Sequence, residues 1–138
     1  MKTIADVMTR DVVTLFEEDS LADVAEDFAR YQFRHIPVVD DGGLVGIVSQ
    51  RDILRVTLGP TAHSPTDRTR EARFRDETFV EEIMQPEPIT ARSDEPLASA
   101  ARRMLDHNIS ALPVVDAGGQ LVGIVTVQDV LREVANDL

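Results

Sequence analysis

Apolar and polar residues follow two patterns along this chain, and each pattern occurs twice. Between Leu21 and Phe28 the apolar residues lie at i, i+3, i+4 and i+7, the spacing of an amphipathic helix. Two apolar runs rich in β-branched residues follow, at 36–39 and 44–48, and they flank turn-forming residues at 40–43. The pattern therefore predicts a helix, a β-hairpin and then a further helix that begins at Ser49.

Local features refine the first of these elements. Ser20, with Asp23 three residues later, is typical of a helix N-cap, and the helix is expected to end near Tyr31 or Gln32. Short extended segments precede the two main helices, at 12–14 in the first half and at 89–90 in the second.

The second half of the chain repeats the first. Before the hairpin turn the matching residues are 76 positions apart, and after it they are 77 apart. Gln120 is the inserted residue, and it falls at a loop tip, where an insertion is tolerated. The matched pairs include Met8 and Met84, Pro37 and Pro113, Gly46 and Gly123, and Asp52 and Asp129.

This duplication predicts two small units, at residues 1–57 and 79–138, joined by a linker over 58–78. Each unit has the order β-α-β-β-α and is too small to bury both faces of its own three-stranded sheet. Two copies that pack through their sheets as a pseudo-symmetric pair would solve this problem for both. The predicted fold class is therefore α+β, with the pair as the folding unit.

Composition narrows the class of protein further. A net charge of -11 argues against a broad nucleic-acid surface, because phosphate contacts need a positive face. The absence of cysteine excludes disulfides, thiolate zinc sites and a cysteine nucleophile. No apolar run approaches the ~20 residues that span a bilayer, and the N-terminus lacks the apolar core of a signal peptide. A cytoplasmic protein without membrane contact is expected.

The main candidate for ligand chemistry is a hydroxyl followed three residues later by an aspartate, at a predicted helix start in each half. These pairs are Ser49 with Asp52 and Thr126 with Asp129. In the structural interpretation each pair is a capping box for its helix. In the functional interpretation the carboxylate, which only accepts hydrogen bonds, holds a vicinal diol such as the ribose of a nucleotide. Both interpretations are compatible with the spacing.

Residues before the hairpin proline distinguish the two halves. Arg34 is a candidate phosphate-binding fork and His35 a pH-sensitive donor, although both would also suit a solvated loop. The second half has Ser110 and Ala111 at these positions, so the two sites are expected to differ chemically.

The linker carries several arginines after an aspartate that could cap a short helix. One interpretation is a solvated linker, and the other is an arginine cluster near a bound anion. The residues concerned are Asp67, Arg68, Arg70, Arg73 and Arg75.

Catalysis has little support in the sequence. The histidines at 35, 63 and 107 lack the spacing of a metal site. No Ser–His–Asp arrangement and no glycine-rich phosphate loop can be argued from the spacing. We therefore expect a protein that is not an enzyme and requires no metal or cofactor.

Taken in order, these motifs resemble the CBS domain, and the whole chain resembles a stand-alone tandem CBS pair, or Bateman module. The resemblance covers nearly everything outside residues 56–78. In the first half it rests on Asp6-Val7-Met8, Val12-Val13-Thr14, Ile36-Pro37-Val38-Val39-Asp40, Gly46-Ile47-Val48 and Ser49-x-x-Asp52. In the second half it rests on Ile83-Met84, Ile89-Thr90, Leu112-Pro113-Val114-Val115-Asp116, Gly123-Ile124-Val125 and Thr126-x-x-Asp129.

The resemblance implies pseudo-two-fold symmetry and two clefts between the units that take an adenine-containing ligand. AMP, ADP or ATP is expected, and S-adenosylmethionine and NAD are also compatible. The helix-start aspartates would hold the ribose, and the hydroxyls three residues earlier would lie near ribose or phosphate. The implied ligand-binding residues are Thr14, Arg34, His35, Ile36, Pro37, Ser49, Arg51, Asp52, Thr90, Ser110, Ala111, Leu112, Pro113, Thr126, Gln128 and Asp129.

Two hypotheses of function follow from the resemblance. In the first, the protein is a regulatory module in which an adenine nucleotide shifts the angle between the units and a partner detects the change. In the alternative, it is a ligand-free structural or dimerisation module whose aspartates only cap helices. The resemblance also implies a homodimer and an effector protein that the sequence does not identify. The dimer interface would be made by the lead-in segments of the two halves, at 3–8 and 80–84, and by their closing helices.

Overall fold

The computed structural model describes residues 2–31, 34–57 and 77–137. In this part of the chain the helices are α1 (Ile4–Val7), α2 (Leu21–Tyr31), α3 (Gln50–Thr57), α4 (Val80–Ile83), α5 (Leu97–His107) and α6 (Val127–Asp137). The strands are β1 (His35–Asp40), β2 (Gly43–Ser49), β3 (Gln85–Pro86), β4 (Ala91–Arg92), β5 (Ala111–Val115) and β6 (Leu121–Thr126). The predicted linker arginines and their capping aspartate, at 67–75, lie outside the described residues.

The strands form two three-stranded sheets, in the orders β1-β2-β3 and β4-β5-β6. In the second sheet, β4 pairs parallel with β5, and β5 pairs antiparallel with β6. In the first sheet, β2 pairs antiparallel with the short strand β3. The α+β class and the two predicted hairpins are confirmed.

The predicted start and end of the first long helix are also confirmed. The Ser20 backbone N–H donates to Asp23 Oδ2 at 3.1 Å, and the Asp23 N–H donates to Ser20 Oγ at 3.2 Å. Helix α2 ends at Tyr31. Its apolar stripe is buried in the core, because Leu21 and Phe28 both belong to the first hydrophobic cluster.

In both halves, the short strand before the long helix lies later in the chain than predicted. The predicted positions are 12–14 and 89–90. Leu15 forms an isolated parallel bridge to Val38, and β4 begins at Ala91. Leu15 and Ala91 are each only 1% exposed. Burial of these side chains sets the paired position, whereas β-branching by itself indicates only an extended backbone.

The chain forms two compact units, and neither consists of one sequence repeat. The first unit contains Val13–Asp40 and Val45–Pro86, and the second contains Met1–Val12, Asp41–Leu44 and Glu87–Leu138. The boundaries at 57 and 79 therefore describe the duplication, and they stay a prediction as domain limits.

The lead-in segments are exchanged between the repeats. Ile4 and Met8, from the first repeat, lie in the hydrophobic core of the second unit. Val80 and Ile83, from the second repeat, lie in the core of the first unit. Each unit thus completes its core with apolar residues supplied by the other repeat.

Within the ranges that the structure describes, no helix is both long enough and apolar enough to cross a bilayer.

Candidate ligand-binding sites

Asp52 lies at the junction between strand β2 and helix α3 in the first unit. Its side chain is buried, with 6% of the residue exposed. The Ser49 backbone N–H donates to Asp52 Oδ2 at 2.8 Å, and the Asp52 N–H donates to Ser49 Oγ at 3.1 Å. These reciprocal bonds are a capping box, so the structural role predicted for this pair is real.

The other oxygen of this carboxylate faces a residue that is distant in sequence. Gln85 Nε2 donates to Asp52 Oδ1 at 3.2 Å. Strand β3 positions Gln85, because it pairs with β2 in a register that sets Gln85 opposite Ile47. Strand β3 of the second repeat therefore supplies a neutral donor to the aspartate of the first.

Asp129 occupies the equivalent junction, between β6 and α6 in the second unit, and is 8% exposed. Its Oδ2 accepts from the Thr126 backbone N–H at 2.8 Å and from Thr126 Oγ1 at 3.1 Å. Its Oδ1 accepts from an Arg132 guanidinium N–H at 3.2 Å. One carboxylate thus has an amide as its additional partner and the other a cation, so the two sites differ in charge as well as in sequence.

The residues before the hairpin proline lie beside these helix starts. The Gln50 N–H donates to the Arg34 carbonyl at 2.9 Å, and the Val127 N–H donates to the Ser110 carbonyl at the same distance. Arg34 is exposed and His35 is half-buried. Burial lowers the pKa of His35 below its ordinary value, the nearby Asp52 charge opposes this shift, and Arg34 reinforces it.

The depressed pKa of His35 predicts a loss of stability in mild acid. The unfolded chain binds this proton at a higher pH than the folded chain does. The free energy of unfolding should therefore fall as pH drops from about 6.5 through the lowered pKa. The fall in the thermal midpoint between about pH 7.5 and about pH 5 should be smaller in a His35→Gln variant than in the wild type. His107→Gln, which changes an exposed histidine, should keep the wild-type fall. An equal fall in His35→Gln and the wild type would contradict the prediction.

The remaining predicted site residues fall into three groups. Thr14 and Thr90 are half-buried, and Arg51 and Gln128 are exposed on the first turns of α3 and α6. The third group lies in the strands and is buried, so its side chains are largely closed to a ligand. This group consists of Ile36, Pro37, Ala111, Leu112 and Pro113.

Two residues that contact the carboxylates were not predicted from the sequence. Arg132 follows Asp129 by one helical turn, and this i, i+3 spacing could have revealed it. Gln85 could not have been found in this way, because it is 33 residues from Asp52 and its equivalent in the first repeat is Thr9. For metals, the described ranges hold no group of three or more histidines or carboxylates able to bind an ion.

The structure thus contains two copies of one fold, and each copy has a buried carboxylate at a strand-to-helix junction. The match to a known family has the same two-fold repetition. The sequence matches the CBS domain at residues 4–59 and again at 80–136. The chain belongs to the CBS domain family. The tandem CBS pair is thereby confirmed.

Solved CBS pairs match nearly the whole chain. The CBS domain pair of protein MJ0100, in complex with 5′-methylthioadenosine and S-adenosyl-L-methionine, is 30% identical with a TM-score of 0.80, over 100% of this chain and 99% of that one. CBSX2 in complex with AMP is 29% identical with a TM-score of 0.82, over 99% of this chain and 98% of that one. CBSX2 comes from Arabidopsis thaliana.

Several curated relatives are longer proteins. Protein MJ1225 of Methanocaldococcus jannaschii is 38% identical over 133 residues, which are 95% of this chain and 46% of that protein. The chain spans only 22–24% of relatives named homoserine O-acetyltransferase and L-aspartate semialdehyde sulfurtransferase. The CBS pair thus occurs alone and within proteins that carry enzyme names.

Proposed function

We propose that this CBS pair is a regulatory module that binds an adenine-containing nucleotide at Asp52 and Asp129. The observation that carries the proposal is a nearly buried carboxylate at a strand-to-helix junction in each unit, 6% and 8% exposed. The adenine ligands named for the MJ0100 pair and for CBSX2 support it, since both proteins match this chain over almost its full length.

The chemistry of each carboxylate suits a ribose. An ionised carboxylate has about four lone-pair positions, so Asp52 can keep its capping bonds and still accept hydrogen bonds from both hydroxyls of a vicinal diol. Ser49 and Thr126 would lie near the ribose or its phosphate. Arg34, with His35 when protonated, would offer positive charge to a phosphate in the first unit.

In this proposal the ligand acts by shifting the population of conformations, and an effector detects the shift. The module itself performs no reaction. A homodimer formed through the lead-in and closing helices belongs to the same proposal. In support of such a contact, α6 exposes two large apolar side chains, Leu131 and Val134, which are 60% and 53% exposed.

Thermal unfolding with and without AMP or S-adenosyl-L-methionine tests ligand binding directly. A ligand at about 100 times its dissociation constant should stabilise the protein by about 2.7 kcal/mol. Asp52→Asn and Asp129→Asn should each reduce this shift, because an amide has lost the charge and half of the acceptor capacity. Asparagine is preferred to alanine here because its remaining oxygen can still accept the capping N–H bond.

The chain offers a matched control for the capping role. Asp23 forms the same reciprocal box with Ser20 at the start of α2, yet it is exposed and belongs to neither of the two strand-to-helix junctions. Asp23→Asn should leave the ligand-induced shift unchanged. A full shift retained in both Asp52→Asn and Asp129→Asn would exclude the proposed ribose role.

The alternative is a ligand-free structural module, and one observation favours it. Both oxygens of each carboxylate already accept hydrogen bonds from the protein. Within the described part of the chain, every buried side-chain nitrogen and oxygen has a partner. If no adenine ligand shifts the midpoint of ligand-free protein, and the aspartate variants lose only the stability that Asp23→Asn loses, this alternative is correct.

A further inference from the structure

Two phenylalanines of the first unit are exposed. Phe16 is 50% exposed and Phe79 is 46% exposed. The other large apolar residues that the structure shows as exposed are Leu105, Leu131 and Val134, all on helices of the second unit. An exposed aromatic pair is costly to leave in water and is a common feature of interaction sites.

Backbone hydrogen bonds bring the two phenylalanine segments side by side. The Glu81 N–H donates to the Glu17 carbonyl at 3.1 Å, and the Val80 N–H donates to the Asp19 carbonyl at 2.8 Å. Phe79 also forms an isolated antiparallel bridge with Ser20. The aromatic side chains therefore arise from adjacent strips of backbone within one unit.

Carboxylates are concentrated on the described segments that carry this pair and on helix α2. The turn after Phe16, the first turns of α2 and the helix after Phe79 contribute eight of them: Glu17, Glu18, Asp19, Asp23, Glu26, Asp27, Glu81 and Glu82. Arg30 is the cation on the same helix, and its charge acts on Asp27. We call Phe16, Phe79 and these eight residues the acidic-aromatic face.

The negative charges on this face lie close enough to repel one another. Burial raises the pKa of Asp27, and the charges of Asp19, Glu26 and Asp23 raise it further. Several of these residues also have local roles, because Asp19 accepts from the Phe16 N–H and Glu82 from the Phe79 N–H, both at 2.8 Å. Glu17 and Glu81 lie close to the phenylalanines in the sequence, and neither side chain accepts one of these two backbone bonds. Their charges can therefore be removed while both bonds are kept.

The duplication shows that the fold itself does not require this face. At the equivalent positions, 76 residues away, Phe16 is replaced by Arg92 and Phe79 by Thr3. The eight carboxylates correspond to three carboxylates, two arginines and three uncharged residues of the second unit: Asp94, Glu95, Asp6, Arg102, Arg103, Ser93, Ser99 and Ala5. The second unit makes the two matching backbone bonds, from the Ala5 N–H to the Ser93 carbonyl and from the Ile4 N–H to the Glu95 carbonyl, without the aromatic pair.

We propose that the acidic-aromatic face docks a basic segment of another protein, one that carries several lysines or arginines and at least one apolar side chain. Charge complementarity selects the basic groups, and it speeds the encounter of the two surfaces. The phenylalanines supply apolar area for the partner's apolar residue and a ring face for a guanidinium. Such a surface would connect the ligand-binding module to its effector.

A labelled peptide that alternates arginine and leucine is the probe for this test. We expect the wild type to bind it with an affinity that falls as salt rises. A double variant, Phe16→Gln with Phe79→Thr, keeps the charge and should weaken binding by about 10-fold, as hot-spot residues do. Glu17→Ser with Glu81→Ala should weaken binding and also flatten its salt dependence. Threonine, serine and alanine are the residues that the duplicated unit carries at positions 3, 93 and 5.

Variants of the second unit provide the controls. Leu105→Ser removes an exposed apolar side chain and Asp94→Asn removes a surface charge, and both should bind the peptide like the wild type. No binding by the wild type, or equal weakening in these controls, would overturn the proposal. A change in the oligomeric mass of the phenylalanine double variant would also overturn the proposal, because it would show that the face binds a second copy of the chain. A large drop in its thermal midpoint would show instead that the chain covers the face itself.

Discussion

Replacement of Ile4 by alanine is expected to destabilise the second compact unit and to leave the first largely unaffected. A truncated isoleucine in a packed core costs about 2–5 kcal/mol. Ile4 lies in a four-residue helix near the N-terminus, where a smaller side chain is ordinarily tolerated. It is nevertheless fully buried, and its N–H donates to the Glu95 carbonyl at 3.0 Å. Its contacts are with the core of the second unit, which holds strands β4, β5 and β6.

Hydrogen exchange under native conditions can locate this loss of stability. In Ile4→Ala, amides of Leu112 and Val125 should lose protection, whereas those of Val38 and Val48 should keep it. The reciprocal variant is Val80→Ala, since Val80 is the equivalent residue and is also fully buried.

Val80→Ala should loosen β1 and β2 and spare β5 and β6, because Val80 belongs to the core of the first unit. If each substitution loosened the unit of its own sequence repeat instead, the exchange of lead-in segments would be wrong. If both substitutions changed both units equally, the two units would unfold as one, and the equilibrium free energies alone would then measure the cost of each cavity.

Alanine at Gly123 is expected to destabilise the protein more than alanine at Gly46. A Cβ at Gly123 would lie 2.7 Å from Met8 Sδ and 2.8 Å from the Thr9 carbonyl oxygen. That carbonyl is held in place, because it accepts the Ile124 N–H at 3.0 Å while the Thr9 N–H donates to the Ile124 carbonyl at 2.9 Å. The added methyl group must therefore move backbone, and overpacking of this kind costs about 1–3 kcal/mol.

The obstacle at Gly46 is softer. The atom nearest to a Cβ there is Met84 Sδ, on a flexible side chain, and the Gln85 carbonyl oxygen is 3.1 Å away. In a double-mutant cycle, Met84→Ala should relieve most of the cost of Gly46→Ala. Met8→Ala should relieve little of the cost of Gly123→Ala, because the Thr9 carbonyl remains.

Chemical denaturation of the single and double variants measures these free energies. Gly118→Ala is the control, since its Cβ would meet only Asp116 Oδ1 at an ordinary 3.5 Å. It should be neutral, or should stabilise slightly by restricting the unfolded chain. A Gly123→Ala variant as stable as this control would show that Met8 and Thr9 do not pack tightly against strand β6.

Much of the local structure could be predicted because local physics determines it. Ser20 and Asp23 form the predicted cap, since a hydroxyl and a carboxylate three residues apart can reach each other's backbone N–H groups. Helix α3 and helix α6 begin directly after Ser49 and Thr126 for the same reason. Identifying the carboxylates of Asp52 and Asp129 as residues of interest needed only this spacing and its repetition.

The partners of those carboxylates could not be predicted equally well. Gln85 reaches Asp52 only because strand β3 pairs with β2 in one particular register. A shift by one residue would turn the Gln85 side chain to the other face of the sheet. Sequence spacing carries no information about that register.

The sequence by itself determined the long helices, the two hairpins, the duplication, the CBS family and the two helix-start carboxylates, because these follow from periodicity and from contacts between near neighbours. Only the tertiary structure decided that Ile4 completes the core of the second unit and Val80 that of the first. It also decided that Asp52 meets an amide where Asp129 meets a guanidinium. A short apolar segment can bury its side chains in any core that has room for them. Its destination therefore depends on the shape of that core and not on its own residues.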